Sequence, residues 1–251
     1  MKKQKVVLSG LVVLLSICVA VQAEDKVEFG VTADFFSKYV WRGQNLVDDW
    51  VMQPGISATY GGLTGSIWAN MDMTGAAVDS GEFNEVDYTL DYSAAFPGVD
   101  WLGFSVGVIY YDFPNTTAEG TTEIYGGLSI DTVASPSVTV YRDVDEAEGT
   151  YVSLGFGHSI EKTDAMPFGI DLGASIGWGD KDYNTFYWGG LDKSELNDLH
   201  LSLGLPFEVG SLSVTPSVHY VRLLGSGVRD SDAYSTDDDI IYGGVGLALS
   251  F

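Results

Sequence analysis

The sequence predicts an all-β fold, a transmembrane antiparallel β-barrel of about twelve strands, on three observations. Segments of about ten residues alternate apolar with small or polar side chains, short turns and long acidic loops alternate between them, and the chain ends on an alternating strand at Phe251. Period-two alternation belongs to a strand with two different faces. A closed barrel with an apolar outside and a wet inside satisfies every backbone group in lipid.

Residues 1–23 stand apart from that pattern. Lys2, Lys3 and Lys5 precede an apolar run from Val6, and small or polar residues lead to Ala23. This is the layout of a secretory signal peptide, with Val21-Gln22-Ala23 as the expected cleavage site. A retained helix would need about 20 apolar residues, and Ser9, Gly10 and Ser16 interrupt the run. A lipid-modified Cys18 is disfavoured by Ile17, which stands where such motifs carry a small residue. Cleavage removes the one cysteine and three lysines, so the net charge falls from −23 to −26, and 24–251 is expected to form one barrel domain. So acidic a chain is no partner for nucleic acid. Its 45% apolar and 13% aromatic content sets it apart from a disordered acidic protein.

Alternating segments then recur near 27–42, 51–60, 63–73, 84–96, 102–113, 122–130, 136–143, 150–160, 168–179, 196–207, 212–223 and 239–251. In the first, FFSKYVWRG, parity puts Phe35, Tyr39 and Trp41 on one face, expected to meet lipid. Asp34, Phe36, Lys38 and Arg42 share the other, expected to meet water. The segment at 84–96 sets Val86, Tyr88, Leu90 and Tyr92 against Asp87, Thr89, Asp91 and Ser93, and that at 168–179 sets Ile170, Leu172 and Ile176 against Asp171, Gly173 and Ser175. Connections such as 61–62, 97–101 and 208–211 are short, whereas 74–83, 180–195 and 224–238 are long and acidic. That is the layout of short periplasmic turns and longer extracellular loops.

A soluble β-sandwich or ligand-binding barrel also alternates. Two girdles of aromatics argue for membrane instead: Phe96, Phe168, Phe207 and Phe251 at the short-turn side, Trp41, Tyr110, Trp178 and Tyr220 at the long-loop side. The terminal YGGVGLALSF is similar to the strand by which bacterial outer-membrane proteins are recognised for insertion. Expected partners are therefore outer-membrane lipid and lipopolysaccharide, the assembly machinery through Phe251, and small polar solutes or cations.

The run TADFFSKYVWRGQNL, then VMQPGISATYGGLTGSIWANMD and NEVDYTLDY, resembles the TorF-type putative porin family over roughly residues 30–95. The matching pieces are Tyr39 to Gly43, Gln53-Pro54, Trp68-Ala69-Asn70 and Glu85 to Tyr88; Pro54 follows Gln53 here rather than preceding it. The resemblance implies an outer-membrane channel and names no solute.

The ionisable residues assigned to the lumen by parity are Asp34, Lys38, Arg42, Asp72, Glu85, Asp87, Asp91, Glu123, Asp171, Asp198, His200 and His219. Eight acids against two fixed bases imply passive diffusion with modest cation preference. Inward glycines such as Gly30, Gly103, Gly107, Gly155, Gly157, Gly173 and Gly177 suggest an open bore. The alternative is cross-strand pairing in a closed, non-conducting barrel. A third reading is a lipid hydrolase built on His200-Leu201-Ser202, whose i, i+2 spacing puts base and hydroxyl on one face. Parity turns that pair away from lipid, so no catalytic residue is assigned. No cofactor is expected, and the acidic run Asp237-Asp238-Asp239 lacks the spacing of a calcium loop.

Overall fold

The computed structural model describes residues 26–234 and 237–251; the expected signal peptide and its cleavage site lie outside them. The chain order is β1 (Glu28–Phe36), β2 (Tyr39–Trp41), β3 (Gln44–Val47), β4 (Val51–Tyr60), β5 (Leu63–Asp72), β6 (Glu82–Phe96), β7 (Val99–Asp112) and β8 (Thr121–Ile130). It continues through β9 (Ser137–Asp143), β10 (Thr150–Ile160), β11 (Ile170–Gly179), helix α1 (Lys181–Tyr187), β12 (Glu195–Gly204) and β13 (Phe207–Val209). Last come β14 (Leu212–Leu223), helix α2 (Ser226–Asp230) and β15 (Asp239–Ser250). Twelve of these strands form a closed antiparallel wall, as the alternation predicts. Neighbours in sequence are neighbours in the wall, and β1 closes the ring against β15 from Gly30↔Ser250 to Phe36↔Gly244. Closure leaves no strand edge unpaired, which is the condition for sitting in lipid.

The outward face is the apolar one. Val31, Ile56, Ile67, Leu90, Val106, Leu128, Leu154, Leu172, Leu201 and Val218 are all exposed around the wall. A belt of this extent is far beyond what a water-soluble surface carries. Among the described residues no helix is long and apolar enough to cross a membrane; the crossing falls to the strands. Tyr110 and Phe96 are exposed near opposite ends of their strands, as expected of girdle positions.

The first expected strand requires correction. Pairing with β15 runs only to Ser37, whose N–H donates to Gly243 O at 3.0 Å. The chain then leaves the wall, and β2 and β3 form a separate two-stranded sheet with Trp41↔Gln44 in register. Its turn is Arg42-Gly43, with φ +48° and +86°, the pair of positive angles that a two-residue type I′ hairpin demands. Tyr39 is buried and Trp41 is partly buried against Phe36, Val47, Val51, Val221, Ile240 and Tyr242. Neither ring reaches lipid. Two-residue parity failed here because it assumes an unbroken strand, and the strand breaks at Ser37.

α1 is the second element at the long-loop end, with one face buried and Lys181, Asp182, Thr185 and Phe186 exposed. Asp180 caps it by accepting the Tyr183 N–H at 2.8 Å, and Tyr183 and Asn184 are buried. Tyr183 and Trp188 pack with Tyr151, Leu223 and Val228 into a second apolar cluster. The long-loop half of the lumen is thus filled by the hairpin and α1. The short-turn half is lined by half-buried small and polar side chains, including Thr32, Ser57, Ser93 and Ser175.

Candidate functional site

The candidate site is the point where the hairpin tip meets the far wall. Six steps around the twelve-stranded ring, through β4, β5, β6, β7 and β8, carry β1 to β9, directly across the lumen. Arg42 makes that crossing. Its two terminal nitrogens donate to Glu123 Oε1 and Oε2 on β8 at 2.7 and 2.8 Å. Both side chains are almost fully buried, at 3% and 1% exposure. The guanidinium carbon lies 4.3 Å from the Trp41 ring centroid, 4.2 Å from Tyr141, 4.5 Å from Tyr151 and 5.9 Å from Tyr183. A bidentate carboxylate and several ring faces together form a desolvated cation cage.

Surrounding residues fix the cage. Tyr111 donates to Glu123 Oε2 at 2.8 Å, Tyr151 to Asp198 Oδ1 at 2.8 Å, and Gln44 to the Tyr183 hydroxyl at 3.1 Å. Burial pushes the Tyr183 and Tyr187 hydroxyls well above the ordinary phenol range, against the pull of Arg42. Tyr183, the α1 phenol near the guanidinium, therefore meets it as a neutral phenol rather than as a phenolate. Asn197 donates to Asn184 Oδ1 at 2.8 Å, and Asn184 to Gly179 O at 3.1 Å, which holds α1 to the wall.

The other assigned residues spread along the lumen. Glu85 is buried on β6 with Asp87 beside it on the same face, near Tyr39 of the hairpin. Asp34 is buried on β1 and Asp198 on β12. Asp91 accepts from Tyr125 at 2.6 Å and Asp171 from Ser159 at 2.6 Å, both in the short-turn half. His200 and His219 face each other at 3.2 Å, and His219 reaches Ser217 Oγ at 2.9 Å and stacks on Tyr242. The hydroxyl beside this histidine pair is thus Ser217, one strand over from the expected Ser202.

Three expectations are corrected. Lys38 pairs with Asp48 at the hairpin base, where both are solvent-accessible, instead of standing on the lumen wall. Asp72 is fully buried and accepts backbone N–H groups from Thr74, Gly75, Ala77 and Val78 at 2.6–3.2 Å; its carboxylate is consumed in tying down the 73–81 loop. Several inward glycines make room for neighbours rather than for solute. A Cβ on Gly107 would lie 2.5 Å from the Tyr125 ring, and one on Gly177 would lie 2.0 Å from Tyr151 Oη.

Sequence reasoning missed the aromatic half of the cage, because Tyr141, its cross-strand partner Tyr151 and Tyr183 on α1 all lie far along the chain from Arg42. It also missed an amide ladder beneath the hairpin, in which Gln53 donates to Asn70 at 2.9 Å and Asn70 to Asn84 at 2.7 Å. Inward parity of Gln53, Asn70 and Asn84 was the available signal. Among the described residues no group of three or more His, Cys, Asp or Glu side chains is placed to hold a metal.

Wall and belt together define a transmembrane β-barrel of the outer-membrane type. No protein-family model matches the sequence, and no curated protein matches it. Among solved structures the chain is similar to the NanC porin, at TM-score 0.51 and 13% identity over 89% of this chain and 98% of that one. LpxR from Salmonella typhimurium aligns at TM-score 0.47 and 10% identity, over 89% and 99% of the two chains. Salmonella typhi OmpF, in a complex with daunomycin, aligns at 0.42 and 10% identity, over 90% and 97%. At such identities the likeness to NanC speaks to the fold alone.

Proposed function

We propose that this barrel is a narrow porin-like channel for small cations and polar solutes, closed when the β2–β3 hairpin crosses the lumen. The observation that carries the reading is the charge of the constriction. Glu85, Asp87, Glu123 and Asp198 line it from the wall, and Arg42 enters among them on the hairpin. Carboxylates focused in a low-dielectric passage attract cations and repel anions. Kinship with the TorF-type porins belongs to the same proposal, since Tyr39 to Gly43, which carry that resemblance, are residues of this hairpin.

A second reading, a permanently closed barrel, is favoured by the apolar packing of the hairpin against the wall. A lipid hydrolase draws less support, because His200 is bonded to His219 inside the lumen, away from acyl chains. Refolded protein in planar bilayers separates the first two. The channel reading expects cation-selective reversal potentials in a salt gradient, with selectivity reduced by Asp87→Asn and Asp91→Asn. Unchanged reversal potentials would remove both residues from the conduction path. Complete silence, in the wild type and in a variant lacking Arg42 alike, would sink the porin reading.

A further inference from the structure

We propose that the lumen contains a binding site for guanidinium-bearing organic cations, and that Arg42 fills it in the closed barrel as a built-in stand-in for the ligand. Displacement of Arg42 by such a cation would release the hairpin; that consequence, but not the site itself, rests on the channel reading.

The site belongs to the wall. Of the groups around the guanidinium only Trp41 travels with the hairpin; Glu123, Tyr141 and Tyr151 are wall residues, and Tyr183 is fixed through α1. Tyr111 also comes from the wall, and it orients the Glu123 carboxylate whether or not Arg42 is present. Glu123 is 1% exposed with Arg42 in place, and withdrawal of Arg42 would leave its carboxylate at the lumen surface without its counter-ion. A carboxylate held in place by Tyr111 among aromatic rings, with its counter-ion gone, favours taking up another cation.

The geometry also selects which cation. Two parallel N–H···O contacts at 2.7 and 2.8 Å, with ring faces above and beside them, suit a flat guanidinium. A compact ammonium or a hydrated alkali ion reproduces neither the fork nor the stacking.

The occupant, by contrast, is held by side-chain packing and the Arg42 contacts rather than by backbone pairing. The hairpin forms no ladder with the twelve-stranded wall. Arg42 itself holds φ +48°, a left-handed conformation that is strained for a residue with a Cβ. The contacts of its side chain offset that strain, and a ligand making the same contacts removes the offset.

The test is a calorimetric titration of arginine methyl ester and, separately, lysine methyl ester into refolded Arg42→Ala in detergent. The arginine ester should bind at least tenfold more tightly than the lysine ester. Adding Glu123→Gln should weaken it tenfold or more, and wild type should bind far more weakly because Arg42 must first be displaced. A folded Arg42→Ala that binds neither ester, or both equally, overturns the proposal. Should that variant not fold, wild type decides by amide hydrogen exchange. Raising arginine methyl ester, but not lysine methyl ester, should accelerate exchange across 39–47, and unchanged exchange overturns the site. Binding without channel activity would defeat the channel reading and leave this site standing; channel activity without binding would do the reverse.

Discussion

On the channel reading, Arg42→Ala is expected to make the barrel conduct persistently, without dismantling the wall. Breaking a buried ion pair by removing one partner costs about 3–5 kcal/mol, and here the cage contacts of Tyr141 and Tyr151 are lost with it. The loss falls on the closed position of the hairpin, because Arg42 joins hairpin to wall and takes no part in the ladders. About 1.4 kcal/mol is a tenfold change in an equilibrium, so a loss of about 3 kcal/mol shifts closed against open about a hundredfold. Open probability in bilayers should rise accordingly, while the heat-modifiable folded band persists on gels. Glu123→Gln should move in the same direction by less, since it leaves the ring contacts in place. If Arg42→Ala left open probability unchanged, the guanidinium would not be the latch.

Gly177→Val should do the larger damage to folding. A Cβ at that position would lie 2.0 Å from Tyr151 Oη and 2.3 Å from Asp198 Oδ1. The strand has little room to retreat, because Gly177 is paired with Ser153 on β10 and its neighbours Ile176 and Trp178 are paired with β12 on either side of a bulge. The added methyls must therefore break the Tyr151–Asp198 hydrogen bond or bend the wall. Overpacking costs about 1–3 kcal/mol, and leaving a buried carboxylate short of its donor adds about 1–3 kcal/mol more. A lowered urea midpoint in micelles checks this. Gly65→Ala is the control, because a Cβ there meets nothing within 4 Å, and its midpoint should stay at the wild-type value.

The wall was legible in the sequence because its physics is local. Each strand carries its own alternation, and Val86 to Phe96 or Ile170 to Ile176 names its lipid face without reference to a partner. The inside was legible only in part. Parity assigned Glu123, Asp198, His200 and His219 to the lumen; Glu123, Asp198 and His219 are buried, and His200 faces His219. It could not say that Arg42 would choose Glu123, five strands around the ring, over the nearer acids Asp34, Glu85 and Asp87. That choice depends on a hairpin whose type I′ turn uses Arg-Gly, where Asn-Gly or Asp-Gly is the recognisable form. The short helix at 181–187 was similarly hidden, since about two turns are too brief to show helical periodicity.

The central claim is that the β2–β3 hairpin, latched through Arg42, closes the outer half of an otherwise wet barrel. The most direct measurement is the single-channel conductance of a variant in which residues 38–48 are replaced by a short Gly-Ser turn. Because the excised residues contribute no wall ladder, the barrel should refold. It should then show stable, cation-selective conductance severalfold above any wild-type level. A variant that refolds yet conducts no better than wild type would contradict the claim, because the lumen would then be closed by something other than this hairpin.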